Sequence, residues 1–280
     1  LPRLKQPGSG ARAGTGARRR QGAHATRTPL REGKEALTWR AAWALPRRVS
    51  LHRRRRAMGE QSTPGRAAAR KAIGMATQGG GGFEELPFRE FLTQLAEKSP
   101  TPGGGAAASA VGALAAALAG MVVSYSLGKK NLAPHEPALQ EAAGVLARAS
   151  SLMMRLADED AAAYGAVNEL SRLPEGDPRR ALLAEAQRAS VQAPMAMMAA
   201  CVDLLRLFEE LAGKTNRHLR SDLAIAAVLA DAAAAAGGWN VWINLPTLPE
   251  GVREEFSRDA AMMQREASER RTRVEEACRS

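Results

Sequence analysis

The chain has 280 residues, enough for one large domain or two modest ones, and a formal charge of +11, which taken as an average points to nucleic acid or an anionic membrane. The average is misleading, because residues 1–74 carry 19 Lys and Arg against 3 Asp and Glu, while the remaining residues carry 21 against 26. The excess belongs to the front, and aromatic residues are not interleaved with its charges as in a base-stacking surface, so nucleic acid is not the expected partner. The two cysteines, Cys201 and Cys278, form no CxxC pair, and the four histidines show no metal-binding spacing. No metal site is expected, and a reducing, cytoplasmic compartment is the plain expectation.

The front contains Arg18-Arg19-Arg20 and Arg53-Arg54-Arg55-Arg56, scattered apolar residues, and frequent Gly and Pro. Such a segment cannot bury enough apolar surface to offset the entropy of ordering it. Residues 1–82 are therefore expected to form a disordered basic extension. Two origins fit it: an organelle transit peptide, or an over-extended reading frame with true starts at Met58 or Met75. Gly79-Gly80-Gly81-Gly82 is a flexible joint, and 83–280 is the expected folded domain.

Beyond that joint the periodicity is helical throughout. A helix is predicted over 86–98, with Phe88, Phe91, Leu92 and Leu95 on one face. Ser99-Pro100-Thr101-Pro102-Gly103-Gly104-Gly105 should be a turn, and 106–127 a helix of very small residues that stops at Gly128. Pro134 and Pro137 open a long helix to about Leu173, followed by the turn Pro174-Glu175-Gly176-Asp177-Pro178. The next helix, 179–212, must kink at Pro194. A fifth should start at the cap pair Ser221-Asp222 and end at Gly237-Gly238, with a short mixed segment to Leu248. A last amphipathic helix covers 249–278. No window alternates like a strand. The fold class is all-α: an antiparallel helical bundle with a buried small-residue central helix.

Residues 103–128 hold no charge over a length that could span a bilayer. Ala dominates the stretch, however, and Asp231 interrupts the next Ala-rich run. The expectation is no membrane: Gly105, Ser109, Gly112, Ala116 and Gly120 recur at helical steps, as in a helix closely packed inside a bundle.

Several residue types could carry chemistry. A Gly-rich turn at a helix start can offer backbone N–H groups to an anion, or can simply permit a tight turn. Asp158 and Asp160 lie about 200° apart around one helix, so both cannot face one pocket equally. Asp160 falls nearer the apolar stripe of Leu156 and Tyr164, where a carboxyl can have a raised pKa and act as general acid or base. Asp158 can be a solvated surface carboxylate. Lys129 and Lys130 can be helix-end cations, and Asn244 can cap a turn.

The ordered set SPTPGGG (99–105), GKKN (128–131), LADEDAAAY (156–164), RLP (172–174), Ala193-Pro194, Asn216, RSDL (220–223) and NVWINL (240–245) resembles the cyclodeaminase/cyclohydrolase family. That family includes the C-terminal domain of formiminotransferase-cyclodeaminase and free-standing methenyltetrahydrofolate cyclohydrolases. The resemblance covers about 86–250. It implies an all-helical homodimer acting on a tetrahydrofolate derivative as substrate, with no bound cofactor. It implies catalytic roles among Asp160, Asp158 and Asp222. Pro102, Gly103, Gly104 and Gly105 become a substrate-binding loop. Lys129 and Lys130 could hold the folate's glutamate tail. Asn216, Ser221 and Asn244 become substrate contacts, Asn244 at a pterin edge. The cyclohydrolase direction, water adding to the methenyl bridge to give 10-formyltetrahydrofolate, is the leading expectation. The alternatives are ammonia release from formiminotetrahydrofolate and, from another class, a non-enzymatic helical or membrane-associated scaffold.

Overall fold

The computed structural model describes residues 82–280; residues 1–81, and with them the expectations for the basic front, lie outside the described residues. Among the described residues there are six α-helices and no strand: α1 (Phe88–Ala96), α2 (Gly104–Ser124), α3 (Glu136–Ser171), α4 (Leu183–Leu211), α5 (Arg220–Asn244) and α6 (Glu250–Arg279). Short 3-10 turns join most of them. The all-α bundle expected from the sequence is therefore the observed class.

The small residues of α2 decide how the bundle closes. Because they hold the helix surface close to its backbone, α3 and α5 lie against it on two sides. A Cβ added at Gly112 would come within 3.0 Å of the Met153 sulfur, and one at Gly120 within 4.0 Å of the Leu146 Cβ. α4 packs on α3 and α5, and α6 covers α4 and α5. Leu139, Leu146, Met153, Leu205, Phe208 and Leu223 are fully buried between them. Each contributes about 1.5–3 kcal/mol relative to an exposed position. α6 is also tied down by ion pairs, including Arg271 with Asp231 at 2.9 Å and Arg270 with Glu209 at 2.6 Å.

Three expectations on boundaries change. Gly104 and Gly105 are not in a turn; they are the first residues of α2, and Gly103 is its N-cap with extended backbone. α5 does not stop at Gly237-Gly238 but continues to Asn244, because Gly237 lies where α5 presses on α4. A Cβ there would come within 2.5 Å of the Met197 methyl carbon. Ser221 does not cap α5: the cap position is Leu219, without a side-chain hydrogen bond. Asn216 caps the preceding 3-10 turn instead, accepting the His218 N–H at 3.2 Å.

Three segments, Gly104–Ser124, Pro178–Leu211 and Arg217–Thr247, are long and apolar enough to cross a membrane by length and composition, where the sequence reading singled out only the first. One acidic residue, Asp231, does not lower the mean hydropathy of its segment enough to remove it. In the bundle these surfaces face one another, although α5 leaves the largest part of its apolar surface outside.

Pro194 lies inside α4, and the hydrogen bond it removes has a specific repair. Proline supplies no N–H, so the Ser190 carbonyl four residues earlier loses its helical donor. The Asn244 side-chain amide replaces it, donating to the Ser190 oxygen at 3.1 Å and to the Asn240 oxygen at 3.0 Å. We expect Asn244→Ala to cost about 1–3 kcal/mol by orphaning a buried carbonyl. In a Pro194→Ala background, which restores the backbone donor, chemical denaturation should show most of that cost gone. An equal cost in both backgrounds would contradict the repair.

Candidate active site

The α2 N-terminus, the middle of α3 and the last turns of α5 meet at one end of the bundle. Gly103 offers no side-chain cap, so the first-turn N–H groups of α2 are left to the site. The glycines here do not serve an unusual backbone, since the positive-φ glycines are Gly128 and Gly176. Gly105 serves close approach. A Cβ on Gly105 would run into the Asp160 carboxylate, lying 2.5 Å from its Cγ, and one on Gly104 would lie 3.4 Å from the Asn240 Oδ1. Pro102, just before them, is buried and joined to Thr101 by a cis peptide bond.

These residues line a narrow crevice whose walls leave no room for a water molecule between them. Its polar groups are Asp160, Ser109 and Asn240, and its apolar wall is Leu156, Ala193, Pro194 and Met197. Burial pushes the Asp160 carboxyl from its usual 3.8 up to about 6. The adjoining α2 N-terminus would favour the ionised form, and desolvation outweighs it. Asp160 forms no hydrogen bond or ion pair among the described residues, so its oxygens are free for a ligand.

Asp158, two residues earlier, is on another side of α3. Its Oδ1 accepts the Phe83 backbone N–H at 3.0 Å. That bond ties down the segment carrying Phe83 and Phe91, whose rings meet edge-to-face at 5.9 Å. Asp158 thus positions the start of the domain and does not line the crevice.

The remaining predicted site residues divide between two ends. Asn244 is near the crevice, with its amide occupied in the Ser190 repair. Lys129, Lys130, Asn216, Ser221 and Asp222 are at the opposite end, beyond the C-terminus of α2 and at the start of α5. There the Asn216 N–H donates to the buried Ser126 hydroxyl at 2.8 Å. The 21 residues of α2 put about 30 Å between the two groups. One copy of the chain does not bring them together. Ser109 and Asn240 were not singled out as site residues from the sequence. The signal for Ser109 was its place one helical turn after Gly105. Cys201 is not a rival nucleophile, since burial pushes its thiol up to about 12.

Residues 87–262 match the family model described as formiminotransferase-cyclodeaminase. The chain is 33% identical over 168 residues to the methenyltetrahydrofolate cyclohydrolase of Methylorubrum extorquens, covering 57% of this chain and 79% of that protein. It is 31% identical to the formimidoyltransferase-cyclodeaminase of Mus musculus, covering 61% of this chain but only 32% of that longer protein. The crystal structure of formiminotetrahydrofolate cyclodeaminase from Thermotoga maritima superposes with a TM-score of 0.65 at 30% identity, over 70% of this chain and 97% of that one. With the family model matching more than half of its length, the chain belongs to the formiminotransferase-cyclodeaminase family.

Proposed function

We propose that the protein is a folate one-carbon enzyme, a methenyltetrahydrofolate cyclohydrolase, with Asp160 as its proton shuttle. The observation that carries this is a carboxyl raised to about 6, free of partners, in a crevice bounded by glycine backbone. A group with that pKa can both accept and return a proton near neutrality. Water adds to the methenyl carbon between N5 and N10, and one of its protons passes to Asp160. The tetrahedral carbon then collapses with cleavage of its bond to N5, which takes up a proton. The carbon leaves the step as a formyl group on N10, with one proton released overall. One carbon–oxygen bond forms, one carbon–nitrogen bond breaks and protons move, with no change of oxidation state.

The crevice has no room for a ligand between its walls, so the folate must meet Asp160 at the crevice mouth. A homodimer supplies a natural second wall. α2 and α5 run side by side and expose apolar residues: Leu114 on α2 and Tyr125 at its C-cap, Ile225, Val228, Trp239 and Trp242 on α5. Along α5 the small Ala232 and Ala235 separate the aliphatic pair from the aromatic pair. A two-fold axis through the alanines places small against small and aliphatic against aromatic. It also carries the Lys129 end of one copy toward the crevice end of the other. The apolar helices are then read as bundle and dimer surfaces, with no membrane partner.

A second reading, formiminotetrahydrofolate cyclodeaminase, is supported by similarity to nearly the whole Thermotoga maritima structure. In it N10 attacks the formimino carbon on N5, and Asp160 protonates the departing ammonia. The same pocket serves both because each reaction passes through a tetrahedral carbon.

Absorbance of methenyltetrahydrofolate should fall faster with the protein than in buffer, with kcat/KM rising through about pH 6 as Asp160 ionises. Asp160→Asn should lower that rate by about 10²–10⁴. Ammonia release from formiminotetrahydrofolate, without loss of the methenyl form, would favour the second reading.

The same shift predicts a stability effect. The unfolded carboxyl ionises near 3.8 and the folded one near 6, so between these values the folded state holds more protons. The contribution of Asp160 to stability is therefore fully present below about pH 4 and is lost as pH rises through about 6. Asp160→Asn should be the more stable protein at pH 7–8, by at most about 3 kcal/mol, with no difference below pH 4. Thermal melts across pH would show this. Light scattering at micromolar concentration should give a dimer, and Ile225→Glu a monomer.

A further inference from the structure

We infer that Tyr164 is the platform on which a planar ring of the folate stacks while its one-carbon bridge meets Asp160, an assignment that rests on the folate reading above. α2 and α3 run antiparallel, since Gly105 of α2 meets Asp160, Gly112 meets Met153 and Gly120 approaches Leu146. α2 begins at Gly104, whereas α3 continues from Asp160 to Ser171, about 16 Å further. The crevice-lining face of α3 therefore runs on past the point where α2 starts. Leu156, Asp160 and Tyr164 are spaced by four and form one stripe of that face. Leu156 is 2% exposed, Asp160 is half-buried and Tyr164 is 46% exposed. The stripe climbs from the crevice floor to solvent and reaches solvent at Tyr164. Helical side chains lean toward the helix N-terminus, which on α3 turns the Tyr164 side chain back toward Asp160.

Tyr164 is a bulky side chain set among small ones: Ala161-Ala162-Ala163 precede it and Gly165-Ala166 follow. Among the described residues it forms no hydrogen bond and no ring contact. The exposed Trp239 and Trp242 of α5, by contrast, already meet each other edge-to-face at 5.7 Å. The chemistry of the substrate supplies a partner for the free ring. The methenyl carbon is bonded to N5 of the pterin and to N10, which carries the benzoyl ring. Both ring systems thus begin one bond from the reacting carbon. Stacked rings lie about 4.5–7 Å apart, and Cβ atoms four residues apart on a helix lie about 5–6 Å apart. A folate that presents its bridge to Asp160 at the crevice mouth therefore brings a ring within reach of Tyr164. Tyr164 takes no proton and forms no bond; it sets where the ring lies.

Tyr164→Leu and Tyr164→Phe test this, read by calorimetry with tetrahydrofolate and by turnover of methenyltetrahydrofolate. The side chain is exposed and unpartnered, so both melting temperatures should stay within about 2 °C of wild type. Tyr164→Leu should raise the Kd for tetrahydrofolate and the KM about 3- to 10-fold, the loss of one aromatic stack. Its kcat should change less than about two-fold, and its pH profile should keep the rise near 6. Tyr164→Phe keeps the ring and should match wild type. Two fragments, 6-methyltetrahydropterin and p-aminobenzoylglutamate, used as competitive inhibitors, identify the stacked ring: the fragment that carries it should lose potency in Tyr164→Leu. Unchanged Kd and KM in Tyr164→Leu, beside an active wild-type enzyme, overturn the assignment while leaving the folate reading intact. An equal loss in Tyr164→Phe also overturns it, as the phenol hydroxyl would then make the contact. A fall in kcat at unchanged KM overturns it, because the side chain would then act on proton transfer and not on the ring. A fall of several degrees in melting temperature would make Tyr164 a structural residue and overturn it as well. A wild-type protein that neither binds tetrahydrofolate nor turns over methenyltetrahydrofolate removes the folate reading first and this assignment with it.

Discussion

The close approach of α2 and α3 at Gly105 is the constraint on which the rest of the site depends. A side chain at this position would occupy the space of the Asp160 carboxylate, whereas one at Gly104 would make only an ordinary contact with Asn240. With a hydrogen atom at Gly105 instead, α3 brings a carboxyl against bare backbone. The same closeness takes Asp160 out of water, and loss of water is what raises its pKa. Packing and acid–base chemistry are therefore one property of this corner of the fold. Relaxing the packing would rehydrate Asp160 and return it toward an ordinary carboxylate.

A second dependence runs through Pro194. A proline inside α4 breaks one helical hydrogen bond, and Asn244 reaches across from α5 to satisfy the carbonyl it leaves. The proline also lines the crevice opposite Asp160. The wall of the site and the joint between α4 and α5 are thus made by the same defect and its repair. Asn244 supports the site from behind, next to Asn240, which faces it.

Two carboxylates spaced two residues apart show how much of the site could be read early. The spacing established that they could not face one pocket equally, and the apolar stripe lay nearer Asp160. In the structure Asp160 lines the crevice, and Asp158 holds the Phe83 N–H on another side of α3. The sequence held no sign that Asp158 would take the Phe83 N–H, since the two are 75 positions apart in the chain. Nor did it show that the Lys129 and Asp222 group would lie a helix length from the glycines. Motifs that belong together by resemblance need not meet within one copy of the chain.

Composition and periodicity by themselves determined an all-α bundle, a small-residue helix at its centre, a break at Pro194 and the place of the basic excess. These follow from local rules: helical spacing of apolar residues, the missing proline donor and the steric smallness of Ala and Gly. Helix ends depend also on what packs against them. A glycine pair reads locally as a stop, yet α5 passes through Gly237 because Met197 and Met198 need the room. The tertiary structure alone decided that Gly105 serves contact and not a turn, and which ends of α2 and α5 lie together. Each of these depends on what approaches from a distant part of the sequence, and no local pattern contains that.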